Sequence, residues 1–282
     1  MKSVEQGATL TVILVLAVAN YAVGQNRREL RFVVGSRAMV SVSNQYGPIS
    51  VKAGPGNQVL VTAVLHSDKV VIDPSQSGSR VEILSHLLDG ATPDTGRVDF
   101  DVIVPADASI DLRSTNGTLH AEGLHGDVTL EGDSANVDVR DISNAHVHVK
   151  TLNGPIVLTN VQDGHVEITS VSGEVALYSV AGPLVQVSST TGAIHYDGDF
   201  GDGGEYYLSS HSGNIEATAP ADASIDVIAR SVRGQVENDF PLEPKHNNFV
   251  VRAGSAFQGT MNKAAAKVRL FSFSGKIHLK RH

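Results

Sequence analysis

The chain has 282 residues, 30 Asp and Glu against 22 Lys and Arg, 41% hydrophobic side chains, 27 Gly and no Cys. The apolar content is too high for a disordered chain, and the absence of cysteine removes disulfide frameworks, thiolate metal sites, iron–sulfur clusters and thiol nucleophiles. A net charge of -8 argues against general nucleic-acid binding, which needs Lys and Arg to displace counterions from phosphates.

Residues 1–24 read as a signal peptide, with a retained anchor as the alternative because Glu5 weakens the basic start. Lys2 supplies a weakly basic start, residues 8–18 form an apolar run short for a bilayer, and Ala22-Val23-Gly24 offers small residues for cleavage before Gln25. The mature chain is therefore expected to be exported, to the periplasm, the outer surface or the medium, with no transmembrane segment of its own. Residues 25–282 read as one domain.

Apolar and polar residues then alternate over five or six positions between Gly, Asn and Ser clusters, which is a strand pattern. Residues 38–52, with Val40, Val42, Asn44, Gly47, Ile49 and Val51, make a first coil. An insertion over 53–104 holds longer strands at 58–65, 80–84 and 97–104, read as hairpins flanking the coil. Over 105–240 a repeat takes hold. Gly117, Ala135, Gly154, Gly173, Gly192, Gly213 and Gly234 form an anchor column at spacings of 18 to 21 residues, and Gly275 fits the same register. Apolar pairs follow each anchor, as at Ile156/Leu158 and Val175/Leu177, and others precede it, as at Val147/Val149 and Val166/Ile168. Three residues before the anchors stand Ser114, Gly132, Thr151, Ser170, Ser189, Ser210, Ser231 and Ser272. A hydroxyl at that point can bond its own turn or the next level.

A unit of about nineteen residues with two short strands closes no core alone, but copies stacked at ~4.8 Å pair each strand with its equivalents above and below. The fold class expected is all-β, a right-handed parallel β-solenoid (β-helix) with longer flanking strands near the N-terminus; the handedness is that of parallel crossover connections. An antiparallel sandwich or barrel would also alternate, without explaining the constant period. The segment Pro105-Ala106-Asp107-Ala108-Ser109-Ile110-Asp111 recurs at Pro220-Ala221-Asp222-Ala223-Ser224-Ile225-Asp226. Residues 241–282 read as a basic terminal coil or cap. From Lys245 onward there are eight basic residues and no acidic one, so a basic segment lying on an acidic body is expected, with contact to anionic surface polymers or lipid headgroups as the alternative. A short Ala-rich helix is expected around 261–267.

The lead-in at 104–107, the recurring Asn-Gly or Ser-Gly before alternating apolar residues, and the stretches 194–199 and 207–215 resemble the bacterial putative-adhesin family of β-strand-repeat domains of unknown function, over roughly residues 38–282. The resemblance implies an exported solenoid at the cell envelope, with adhesion proposed and, in some members, a link to envelope stress. It brings no catalytic residues.

Outward residues nineteen apart become neighbours, so Asp127/Thr129, His146/His148, His165/Glu167 and Leu184/Gln186 form rungs of one ladder. His146, His148, His165 and Glu167 are a candidate transition-metal set for zinc, weighed against a solvated polar face. Asp197, Asp199, Asp202 and Glu205, among four glycines, are a candidate calcium loop, weighed against an acidic bulge. No other cofactor is implied. A polysaccharide-active enzyme is the rival reading, but basic residues are sparse between Ser114 and Ala229, and Asp138, Glu216 and Glu237 are separated by Val157, Ala176 and His195. The function expected is a non-catalytic binding scaffold for an envelope component, glycan or protein, with stress sensing or a structural role as the alternative. Outward Pro155, Val157, Ala176 and Leu184 suggest a modest apolar patch.

Overall fold

A computed structural model describes residues 26–244 and 254–282. The signal peptide read over 1–24, and Lys245 and Arg252 of the basic end, lie outside the described residues. Those described form strands and turns with no helix.

In chain order, β1 (Asn26–Val33) precedes β2 (Met39–Tyr46) and β3 (Ile49–Gly54). Next come β4 (Gln58–Leu65), β5 (Val70–Ser77), β6 (Arg80–Leu87) and β7 (Val98–Pro105). Two long strands, β8 (Ser109–Glu122) and β9 (Val128–Ser143), each supply both sides of a level. Shorter pairs follow: β10 (His146–Asn153) with β11 (Ile156–Gln162), β12 (His165–Ser170) with β13 (Val175–Ala181), and β14 (Leu184–Ser189) with β15 (Ile194–Asp197). Then come β16 (Glu205–Ser210) with β17 (Ile215–Ala219), and β18 (Ile225–Ser231) with β19 (Val236–Asn238). The short β20 (Glu243–Pro244), β21 (Ala256–Met261), β22 (Ala266–Ser272) and β23 (Ile277–Arg281) complete the set.

The strands build a mostly parallel stack with two sides. From β9 to β14 the parallel register advances nineteen residues per level, pairing Val128 with Val147, Val147 with Val166 and Val166 with Val185. Since neighbouring residues point to opposite faces, that register keeps every inward residue inward. The inward pairs are buried at each level, and burying a Val, Leu or Ile side chain stabilises by about 1.5–3 kcal/mol.

Two columns explain why the anchors are small. A Cβ placed on Gly173 would lie 1.7 Å from the carbonyl oxygen of Gly154, one on Gly192 1.9 Å from that of Gly173, and one on Gly213 2.0 Å from that of Gly192. The backbone of one level thus passes directly over that of the last. Beside this column three of the buried Ser hydroxyls clamp the turns. Ser210 Oγ accepts from Gly213 N at 2.9 Å and donates to Gly192 O at 3.2 Å in the adjacent level; Ser272 and Ser231 repeat the pattern. The hydroxyl bridges its own turn and its neighbour's.

The order of levels departs from chain order at both ends. The β2–β3 level lies between the β6–β7 level and β8, so the first level in sequence is the second in space. The 53–104 insertion therefore contributes a level of its own as well as antiparallel partners: β4 pairs with β1 and β7, and β5 with β6. At the other end β22 inserts between β16 and β18, and β23 between β17 and β19, so the anchor column runs Gly213, Gly275, Gly234.

Each copy of the duplicated segment is the connection that steps over an inserted level. Pro105–Asp107 carries the chain from β7 past β2 to β8, and Pro220–Asp222 from β17 past β22 to β18. Both make the same turn, Ala108 N donating to Pro105 O at 3.0 Å and Ala223 N to Pro220 O at 3.1 Å. Both bind the level they cross: Arg37 N donates to Asp107 Oδ2, and Asn262 Nδ2 to the carbonyls of Asp222 and Ala223.

The helix expected at 261–267 is absent. Met261 ends β21, Asn262 and Ala264 take positive φ in a tight turn, and Ala266 begins β22 fully buried. Stacking against β16 and β18 supplies backbone partners that outweigh the helix preference of three alanines.

Candidate functional site

The histidine ladder forms as its spacing requires. His146 pairs with His165 and His148 with Glu167, while Asp127 Oδ1 accepts from His146 N at 3.1 Å. The His146 and His165 rings stack at 4.8 Å with 15° between their planes, and His148 Nδ1 lies 3.6 Å from Glu167 Oε2. Parallel imidazole planes do not converge their in-plane nitrogens on one point, as zinc at about 2.0–2.1 Å requires. Among the described residues no three His, Asp or Glu side chains are grouped as a metal site would need.

The acidic loop is spread apart. Asp197 Oδ1 lies 3.0 Å from His282 Nε2, and Glu205 has moved onto β16, where its carboxylate meets Lys267 Nζ at 2.6 Å and Tyr207 OH at 2.9 Å. These donations hold Glu205 below the usual carboxylate range. The loop centres on Phe200, which sequence reading missed. Its ring is buried between Tyr196 and Tyr206, with centroids 4.7 and 4.8 Å away. Tyr196 OH donates to the carbonyls of Val180 and Asp199, Tyr206 OH accepts from Gly201 N, and burial pushes both phenols up. The available signal was two tyrosines at inward positions flanking a connection two residues longer than its neighbours.

Ion pairing runs along the second side. Lys52 and His120 meet Glu122, and His120 and Arg140 meet Asp138. The inserted β23 sets His278 between Glu216 and Glu237, with Lys280 Nζ 2.6 Å from Glu216 and Lys276 Nζ 2.7 Å from Glu237. The hydrogen bond from Lys280 lowers the Glu216 pKa against the opposing effect of burial. A glycosidase needs a carboxylic acid whose pKa is raised; Glu216 is moved the other way.

The expected apolar patch does not assemble. Leu184 is on the first side between His165 and Glu205, whereas Val157 and Ala176 are on the second, and Ala176 is buried. A different feature lies on the first side, where the inserted β22 meets β16. Phe271, 44% exposed, stands beside Ser209 and walls a depression of about 510 Å³ whose other lining is Ser188, Ser189, Thr190, Ser210 and His211. The His211 ring stacks on Phe273 at 4.8 Å and 6°, and the Arg233 guanidinium carbon lies over that ring at 4.9 Å from its centroid. Sequence alone did not join Ser209 to Phe271, because 62 residues separate them.

Residues 39–280 match the Toastrack DUF4097 family. The chain belongs to that family. Its repeat pattern and stacked strands accord with the Toastrack β-solenoid. Among solved structures, one described as a putative cell adhesion protein from Clostridium sporogenes ATCC 15579 is 12% identical, with a TM-score of 0.30 over 91% of this chain and 100% of that one. Another, described as a putative adhesin from Bacteroides fragilis NCTC 9343, is also 12% identical, with a TM-score of 0.46 over 91% of this chain and 97% of that one. No curated protein matches the chain. No helix among the described residues is long and apolar enough to cross a membrane.

Proposed function

We propose that this protein is an exported, non-catalytic binding scaffold of the cell envelope, wound right-handed as parallel crossovers are. The observation that carries the reading is the use of the outward carboxylates. Glu122, Asp138, Glu205, Glu216 and Glu237 each face a cation in their own or a neighbouring level, so they serve as counterions rather than as proton donors or nucleophiles. What the stack offers a partner is a rigid face with a shallow depression at Ser188, Ser209 and Phe271.

The test is to incubate the mature chain with isolated envelope polymers and proteins and with a polysaccharide panel. Saturable retention on an envelope component with no change in polymer length is the expected result. Release of new reducing ends or unsaturated products would refute the non-catalytic reading.

A further inference from the structure

The depression continues into a lane that differs from the rest of this acidic chain. At one outward position per level the stack presents Lys150, Thr169, Ser188, Ser209, Phe271 and Arg230, each the register partner of the next. The next outward position toward the corner carries Thr190, His211 and Phe273 in the middle of the run. Neither row contains an Asp or Glu between β10 and β18, in a chain with 30 acidic residues.

Among the described residues Arg230 and Arg233 have no carboxylate partner, although the neighbouring Arg269 lies 3.6 Å from Asp226 Oδ2. Arg233 nevertheless has its guanidinium carbon over the Phe273 ring at 4.9 Å, and that ring is stacked on His211. A guanidinium over an aromatic ring is attracted to it, and its planar fork of N–H donors matches a carboxylate in a two-pronged contact.

Resting on the scaffold reading above, we infer that this lane binds an acidic polysaccharide through its uronate units. The exposed face of Phe271 suits the apolar face of a sugar ring. Ser188 and Thr190 present hydroxyls, and His211 ring nitrogens, to the ring hydroxyls, while Arg230 and Arg233 take the carboxylate. A neutral glycan would leave the two arginines unused. An acidic peptide would use them but would not need an aromatic wall beside a floor of hydroxyls.

The probes are oligogalacturonate and oligomannuronate hexamers, titrated calorimetrically into the full mature chain at low salt. Methyl-esterified oligogalacturonate and a glutamate hexapeptide serve as comparisons. Either uronate hexamer should bind, at least tenfold more tightly than the ester or the peptide. Phe271→Ala and Arg230→Gln, both at exposed side chains, should each weaken it at least tenfold, while Tyr178→Ala, an exposed aromatic on the other side, should leave it unchanged. Circular dichroism of each variant confirms the fold. Absence of binding by both uronates, equal binding of the glutamate peptide, or undiminished binding by folded Phe271→Ala overturns the inference. If the native chain and Phe271→Ala are retained equally on envelope polymers, the scaffold reading stands and the assignment of this lane falls.

Discussion

At Gly192 the only side chain that fits is none at all. Its Cβ position lies 1.9 Å from the carbonyl oxygen of Gly173 and 2.9 Å from Ser189 Oγ, so an added methyl must wedge between hydrogen-bonded levels. Overpacking of this kind costs about 1–3 kcal/mol. Gly192→Ala should therefore lower the unfolding free energy by that amount, read as a lower denaturant midpoint with little change in m-value, whereas a midpoint equal to the native one would contradict the stacking described for this column. Phe200 shows the opposite case, where bulk is needed: the longer connection before β16 folds an aromatic ring over the tyrosines and so closes the core where the level is widened. Asp197, Asp199 and Asp202 read from sequence as ligands because acidic residues around glycines share that composition with any solvated bulge. The position of Phe200, with Asp197 turned to His282 and Glu205 to Lys267, separates the two.

For the β22–β23 element the decisive feature is charge. This is the basic end of the chain, and it inserts between acidic levels: Lys267 meets Glu205, Arg269 meets Asp226, Lys280 meets Glu216 and Lys276 meets Glu237. Placed side by side without it, Glu216 and Glu237 would face each other as like charges. The folded pKa values of Glu205 and Glu216 lie below the ordinary value of 4.5 because Lys267 and Lys280 donate to them. Their stabilising contribution is therefore complete above about pH 4.5 and is lost as the pH falls through the folded values. Protection factors against amide hydrogen exchange, with the intrinsic pH dependence divided out, should fall at Leu270 and Leu279 between pH 5 and pH 3 more than at Val149 in the middle of the stack. A Glu205→Gln, Glu216→Gln double variant should exchange faster at pH 6 and show less of that acid dependence. Equal acid sensitivity of Leu270 and Val149 would contradict the electrostatic account.

On the scale of the whole molecule, both ends use one device. A terminal level is inserted one step in from the end, and a Pro-Ala-Asp-Ala turn spans the resulting gap of about two interstrand spacings, ~9.6 Å. Each inserted level is thereby paired on both edges, leaving fewer long free strands to recruit another chain. Removing residues 262–282 should accordingly do more than shorten the stack. It deprives β16, β17, β18 and β19 of partners at once and exposes inward Ile215, Val227 and Leu208 at a gap. The truncated chain should aggregate or elute with an expanded radius in size-exclusion chromatography. A compact monomer with an unchanged unfolding midpoint would mean the level contributes nothing to its neighbours.

The periodic core was legible because it is written locally. Val147, Val149, Ile156 and Leu158 alternate within one level, and their equivalents recur nineteen residues on, so side-chain direction and register follow from the spacing alone. The stacked His146 and His165 pair was legible for the same reason, while the orientation of their rings was not, since spacing fixes backbone partners and leaves rotamers free. The sequence by itself thus determined a two-strand level, its buried pairs and its Gly and Ser columns. The tertiary structure alone decided which level lies on which. Backbone hydrogen bonds between parallel strands do not distinguish one such level from another, so the choice falls to the reach of the connecting turns and to the fit of a basic level between two acidic ones. That choice is what brings Phe271 beside Ser209 and places Arg230 at the end of the same row.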